Sequence, residues 1–172
     1  MNEGVIVQGW TVFKAFIALA YCTFACAGSM STVMPIKVAL ADQSATSTFF
    51  VERRSGYTFA LLFVWKSDYP GIKQQRDLWQ GRYQRKGISL PIHLRILKDG
   101  QVFSDETITT AGVDAGETIE LSGQPRSVGV RTIKNYELAP GRYTVEISTV
   151  ASVDAFSEEE CYVQFATYNP KI

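Results

Sequence analysis

His93 is the only histidine in the chain, and histidine is the side chain best suited to act as a general base near neutral pH. A Ser-His-Asp or Cys-His arrangement needs such a base within reach of its nucleophile. The surrounding residues, P-I-H-L-R, contain no motif that marks a nucleophilic partner. One histidine and one cysteine beyond the N-terminal leader are also too few for a typical zinc site. We therefore expect no enzyme activity, no metal and no other cofactor.

Two further groups of reactive residue types favour a structural interpretation. Asp154 and the run 158–160 (E-E-E) are acidic, but they lack the regular ligand spacing of a calcium loop, so a solvated turn is expected. Cys161 alternates with Val163 and Phe165, which is the pattern of a thiol that faces an apolar core.

The stretch richest in binding residue types is the segment from Asp68 to Gly87, here called the insert. Arginine and aromatic residues are enriched at the centres of protein interfaces, because they bury a large area and form several hydrogen bonds. The insert is basic and combines both types. We predict that it forms a protein-binding surface. The predicted binding residues are Trp79, Tyr83, Arg76, Arg82 and Arg85.

A carbohydrate-binding module is the alternative prediction. Such a site would stack sugar rings on exposed aromatic side chains, and four aromatic residues lie in or beside the insert: Trp65, Tyr69, Trp79 and Tyr83. The number of arginines favours a protein partner, because a planar guanidinium matches a carboxylate.

The rest of the chain predicts strands separated by turn residues. Nine segments have alternating or continuous apolar residues, and none has a convincing helical period. The predicted strands are 33–40, 46–52, 57–66, 90–97, 101–109, 117–121, 128–133, 143–149 and 161–167. This pattern predicts an all-β, antiparallel, immunoglobulin-like sandwich with a short helix, from about Lys73 to Gln80, in the insert between two strands. The strand at 57–66 is apolar on both faces, so we expect it to be central.

The segment E-L-A-P-G-R-Y-T-V-E-I-S predicts how the chain crosses between the two sheets. Leu138 would fill the core before the turn, and Pro140-Gly141 supply the turn. Tyr143 opens the next strand, where a tyrosine of such a corner bonds back to the backbone a few residues upstream.

The N-terminal 27 residues are predicted to be a signal peptide, leaving one domain at 28–172. Lys14 precedes a ten-residue apolar run, which is too short to span a bilayer. Cleavage can follow A-C-A before Gly28, or T-F-A-C can act as an imperfect lipobox that lipidates Cys26. Lipidation would hold the protein at the outer membrane, since Ala27 is not an aspartate. The alternative is a soluble periplasmic protein.

The charge of the chain argues against a nucleic-acid partner, and the two halves of the sequence have opposite net charge. The sequence has 17 basic and 17 acidic residues, so nothing indicates a nucleic-acid partner. Residues 27–100 contain 11 Lys+Arg and 5 Asp+Glu, whereas residues 101–172 contain 5 and 11. The two halves of a sandwich interleave, so this asymmetry is expected to even out in space.

The chain resembles a domain-of-unknown-function family of bacterial envelope proteins, many of them lipoproteins. The resemblance rests on F-F-V-E-R-R-S-G-Y-T-F-A-L-L-F, on the insert with L-W-Q-G-R-Y, on G-I-S-L-P-I-H-L-R-I-L and on E-L-A-P-G-R-Y-T-V-E-I. It implies a sandwich domain and a role as an immunity protein that neutralises a secreted toxin or effector. It implies no catalytic residues.

Overall fold

The structure, a computed structural model, describes residues 31–81 and 86–168. In chain order, strands β1 to β9 are Ser31–Pro35, Ser44–Val51, Ser55–Val64, Leu90–Lys98, Gln101–Thr110, Ala115–Leu121, Gln124–Leu138, Gly141–Thr149 and Cys161–Tyr168. Helix α1, Tyr69–Trp79, lies between β3 and β4, and a 3-10 helix, Asp154–Phe156, precedes β9. Within these ranges, no helix has the length and apolar character needed to cross a membrane.

The nine strands form two antiparallel sheets that pack face to face. One sheet has the order β1-β9-β3-β7-β6, and the other has the order β2-β8-β4-β5. Alternate residues of β2, β4 and β8 are buried between the sheets, as a half-buried strand requires. The predicted all-β sandwich with a short helical insert between two strands is confirmed.

Strand β3 is central, as its two apolar faces predict. It pairs with β7 on one side and with β9 on the other. Phe59, Leu61 and Phe63 face the core between the sheets, whereas Ala60 and Leu62 belong to a second apolar cluster on the opposite face. Partly buried residues such as Tyr162 and Ile119 pack against that second cluster.

Three elements differ in extent from the sequence prediction. Strand β1 is Ser31–Pro35, whereas the predicted strand is 33–40, because its partner β9 begins at Cys161, next to the residue that pairs with Pro35. Strand β7 is much longer, because its first residues form a hairpin with β6 and its last residues continue past a register shift opposite Phe59/Ala60. Helix α1 begins at Tyr69, earlier than the predicted Lys73. The sequence Y-P-G resembles a turn, but proline is well tolerated in the first turn of a helix, where backbone N–H groups have no helical partner.

The chain crosses between the sheets at the predicted corner. Leu138, at the end of β7, is fully buried, and Gly141 begins β8 in the other sheet. The Tyr143 hydroxyl donates a hydrogen bond of 2.9 Å to the carbonyl oxygen of Ala139. Gly141 has φ of 151° beside Lys98 and Asp99, a conformation that favours glycine.

Tyr143→Phe should lower the free energy of unfolding by about 1–3 kcal/mol, because the Ala139 carbonyl loses its partner in a partly buried place. Urea denaturation measures this change. Tyr69→Phe removes a hydroxyl from a residue that is 78% exposed, and it should leave the midpoint unchanged. Equal urea midpoints for Tyr143→Phe and wild type would show that this hydrogen bond does not stabilise the fold.

The sandwich has two distinct ends. The corner end carries the β2–β3 turn, the β4–β5 turn and the β7–β8 corner, since Ser55 pairs with Leu138 and Val51 with Gly141. The insert end carries α1, which follows the far end of β3.

Candidate functional site

Helix α1 has a well-defined start. The Asp68 carboxylate accepts a hydrogen bond of 2.9 Å from the backbone N–H of Gly71, which is the geometry of an N-cap. Pro70 occupies the first turn. A Cβ on Gly71 would lie 2.7 Å from both Asp68 Oδ1 and Lys66 Cδ, so the cap packs closely against the end of β3. These contacts fix the direction in which the helix leaves the sheet.

Gln75 fastens the middle of α1 to β3. Its side chain is 1% exposed, and its Oε1 accepts a 2.8 Å hydrogen bond from the backbone N–H of Lys66. Its Nε2 donates to the carbonyl of Val64 at 3.1 Å and to the Glu159 carboxylate at 2.9 Å. A buried amide with three partners holds one orientation, because any rotation would leave a buried polar atom unpaired.

Trp79 lies on the same face of α1 as Gln75 and is fully buried. Its ring lies 5.1 Å from that of Phe63 and 4.4 Å from that of Trp65, and it covers Gly129. The prediction that Trp79 contacts a partner is wrong. The physical reason is the helical period, since Gln75 and Trp79 are one turn apart and share the buried face. Its Nε1 has no hydrogen-bond partner in the described part of the chain.

Arg131, which the sequence analysis did not identify, holds the end of α1. It is 1% exposed and donates to three backbone carbonyls: Gly112 at 2.5 Å, Ile88 at 3.1 Å and Trp79 at 3.0 Å. Its guanidinium carbon lies 5.1 Å from the ring centroid of Phe63. Burial lowers the pKa of Arg131 from its ordinary value to about 10, so the group stays charged at neutral pH. An arginine within V-G-V-R-T-I is the only sequence signal that could have indicated it.

The backbone on both sides of residues 82–85 is also fixed. The Gly81 N–H donates to the Arg76 carbonyl at 3.2 Å, and the Ile88 N–H donates to the Leu78 carbonyl at 2.8 Å. A Cβ on Gly87 would lie 2.2 Å from the Trp79 carbonyl oxygen, so only glycine fits there. The predicted binding residues Arg82, Tyr83 and Arg85, like Cys26, lie outside the described residues.

The solvent side of α1 carries a regular stripe of polar and aromatic residues, here called the outer face of α1. It comprises Tyr69, Lys73, Arg76 and Gln80, which follow one another at helical spacing and are all exposed. Tyr69 is 78% exposed. Within the part of the chain that the structure describes, Lys73 and Arg76 form no ion pair with another side chain.

Acidic residues before β9 compensate part of the charge at the insert end. Glu159 has a side chain only 5% exposed and lies 3.9 Å from Lys66 Nζ, and Glu160 lies 3.1 Å from Arg126 Nη2. The prediction of a solvated turn is therefore wrong for Glu159, because Gln75 and Lys66 draw its carboxylate inward. Lys66 and Glu159 come from the basic and the acidic half of the sequence, so this pair evens out part of the charge asymmetry, whereas Arg126 and Glu160 both belong to the acidic half.

The other reactive residue types lie away from the insert's outer face. His93 is on the exposed face of the β2-β8-β4-β5 sheet, where its Nε2 lies 2.6 Å from the Asp105 carboxylate. Cys161 is buried, and burial raises the pKa of its thiol far above the usual value. No group of three metal-ligating side chains occurs within residues 31–81 and 86–168.

A polar cluster closes the side of the sandwich between β5 and β7. The Glu106 carboxylate accepts hydrogen bonds from Lys134 Nζ at 2.6 and 2.7 Å, from the Ser104 hydroxyl at 2.9 Å and from the Tyr136 hydroxyl. Hydrogen bonds from Lys134, then from Tyr136 and Ser104, lower the pKa of Glu106 from 4.5 to about 2. Ser104 and Glu106 lie on β5 of one sheet, and Lys134 and Tyr136 lie on β7 of the other, so this cluster joins the two sheets.

Because the folded state lowers the pKa of Glu106, the ionised carboxylate stabilises the fold above its ordinary pKa of 4.5, and this contribution is lost as pH falls towards 2. The stability difference between wild type and Glu106→Gln should therefore be full at pH 6 and shrink on acidification from about pH 5 to pH 3. Urea denaturation across this range measures it. A difference that is constant with pH would show that Glu106 contributes nothing through its charge.

Comparisons with known proteins identify a solved structure with the same fold and a matching protein family. No curated protein matches the chain. Among solved structures, the crystal structure of GEBA250068378 from Sulfurospirillum deleyianum superimposes with a TM-score of 0.61. The match covers 83% of this chain and 99% of that chain at 16% sequence identity, so it shows a shared fold. The family model described as "Domain of unknown function (DUF5625)" matches residues 33–167, which include every strand except the ends of β1 and β9. The chain therefore belongs to this family.

Proposed function

We propose that the chain is a non-catalytic, protein-binding module of the bacterial envelope, and that the outer face of α1 is part of its contact surface. One observation carries the proposal. The inner face of α1 is locked by Gln75 and Trp79, while the outer face presents Tyr69, Lys73 and Arg76 without intramolecular ion pairs in the described residues. A rigid helix that displays an aromatic ring and two cations loses little entropy when it binds.

The chemistry of this face favours an acidic protein surface. Lys73 and Arg76 would steer the encounter, and Tyr69 would be buried as an anchor. Arg82, Tyr83 and Arg85 follow directly in the sequence and extend the same residue types. A secreted toxin or effector is the proposed partner, which makes the chain an immunity protein.

Carbohydrate binding has weaker support. Of the aromatic residues considered for it, Trp79 is buried and Trp65 is partly buried, so among the described ones only Tyr69 offers a widely exposed ring. Stacking of a sugar requires flat, accessible rings with few charges nearby, and two cations lie beside Tyr69.

The proposed location is the periplasm, with attachment to the outer membrane through a lipid on Cys26. In this proposal, the full chain expressed in a Gram-negative host incorporates labelled palmitate and partitions into detergent, and Cys26→Ser abolishes both. Unlabelled protein that begins at Gly28 would instead support cleavage after Ala27 and a soluble periplasmic domain.

Charge reversal tests the binding surface. The partner is first identified by mass spectrometry after capture from envelope and secreted fractions, and its association rate is then measured at low and high salt. Lys73→Glu with Arg76→Glu should slow association at least about tenfold at low salt and much less at high salt, because salt screens the attraction.

The matched control is Arg95→Glu, which changes an exposed arginine on the sheet face, remote from α1. It should bind like wild type. If the double variant and the control associate at the same rate, α1 is structural and the contact surface lies elsewhere. Arg82→Glu with Arg85→Glu then tests the adjoining segment by the same measurement.

A further inference from the structure

The position of the first strand determines which end of the sandwich lies nearest to the proposed lipid anchor. Strand β1 begins at Ser31, which pairs with Ala166, and Ala166 also pairs with Thr58 near the start of β3. Thr58 is three residues after Ser55, the residue at which β3 begins after the β2–β3 turn. The chain therefore enters the fold close to the corner end, whereas α1 lies beyond the other end of β3.

The link between anchor and domain is short. Five residue steps separate Cys26 from Ser31, and a fully extended chain spans at most about 3.5 Å per residue. The start of β1 therefore cannot lie more than about 18 Å from a lipidated Cys26. With so short a tether, the corner end of the domain stays next to the bilayer.

The corner end also carries residue types suited to a membrane surface. Phe50 is 59% exposed, Val102 59% and Phe103 44%. Phe50 lies on edge strand β2, where it pairs with Arg142 of β8, and Val102 and Phe103 lie on the opposite edge strand β5, where Val102 pairs with Leu97 of β4. The three residues are therefore near the corner end, on its two sides. Exposed apolar side chains of this kind insert into the boundary between headgroups and acyl chains.

Two arginines lie at the same end of the sandwich, together with the exposed carboxylates of Glu52 and Asp99. Arg53 and Arg142 are exposed and form no ion pair within the described residues, whereas Arg54 lies 3.6 Å from Glu137. Unpaired arginines beside exposed aromatic residues match anionic phospholipid headgroups, because a guanidinium binds phosphate oxygens in a bidentate manner.

We propose that the corner end, through Phe50, Val102 and Phe103 with Arg53 and Arg142, rests on the phospholipid headgroup layer. This inference rests on the proposed anchorage at Cys26. It gives the proposed binding surface an orientation, since α1 then projects away from the membrane towards the aqueous compartment.

Site-specific photo-cross-linking tests this orientation in the full chain in cells. A benzophenone amino acid replaces Phe50, Phe103 or Tyr69 in separate variants, and phospholipids are labelled with radioactive phosphate. All three positions are exposed aromatic residues, so Tyr69 on α1 is the matched control. The variants at Phe50 and Phe103 should acquire lipid label several-fold above the variant at Tyr69. Equal label at the two ends, or protein cross-links in place of lipid at Phe50 and Phe103, would overturn the proposal.

Palmitate labelling of the same samples separates this proposal from the anchorage itself. Lipid cross-links at Phe50 and Phe103 without palmitate on the protein would refute the anchor and still support contact of the corner end with the membrane. Palmitate on the protein without those cross-links would support the anchor and refute the orientation.

Discussion

Replacing Arg131 with methionine should lower the free energy of unfolding by more than about 3 kcal/mol. The guanidinium binds the carbonyls of Gly112, Ile88 and Trp79, which come from three separate segments of the chain. Methionine fills part of the volume but donates no hydrogen bond, so each buried carbonyl loses its partner at about 1–3 kcal/mol. Chemical denaturation monitored by tryptophan fluorescence measures the loss.

Two further variants test the cause. Arg95→Met makes the same substitution on the exposed sheet face and should change stability by less than about 0.5 kcal/mol. Arg131→Lys retains the charge but cannot reach three carbonyls in one plane, so it should fall between wild type and Arg131→Met. If Arg131→Met is as stable as Arg95→Met, the three hydrogen bonds do not hold the insert.

Trp79→Ala and Tyr69→Ala should separate stability from binding. Trp79 is fully buried against Phe63 and Trp65, so its removal leaves a large cavity and should cost about 3–5 kcal/mol. Tyr69 is 78% exposed, so its removal should cost less than about 0.5 kcal/mol.

Binding should show the opposite order under conditions where both variants are folded. Tyr69→Ala should weaken partner binding by at least about tenfold, as the truncation of an aromatic anchor does. Trp79→Ala should weaken binding per folded molecule much less than Tyr69→Ala, because it loosens α1 but leaves every side chain of the outer face in place. A Tyr69→Ala variant with unchanged affinity would remove Tyr69 from the proposed contact surface.

The strands could be predicted from sequence because each carries its own signal. In β8, Tyr143, Val145 and Ile147 alternate with polar residues, and a period of two fixes which side chains are buried. The corner could also be predicted, since leucine, proline, glycine and tyrosine occur in the order that the turn requires. These signals are local, so they do not depend on the rest of the chain.

The contacts around α1 could not be predicted, because they depend on segments that are distant in sequence. Nothing in V-G-V-R-T-I shows that three carbonyls converge on Arg131, and nothing near Gln75 shows that Glu159 approaches it. The sequence predicts Trp79 at a binding surface because tryptophan is enriched at interfaces, but tryptophan is also common in protein cores. Whether Trp79 belongs to the core or to an interface depends on which face of α1 is buried.

The place of β9 determines when the domain can finish folding. This last strand lies between β1 and β3, so the five-stranded sheet remains divided until residues 161–168 have emerged. Pairing the first strand with the last joins Ser31 to Ala166, a contact of very long sequence separation. Contacts of this kind form slowly, because most of the chain must be ordered before they close. A chain that crosses a membrane from its N-terminus would thus stay open until its C-terminal strand has followed, and folding would be completed on the far side.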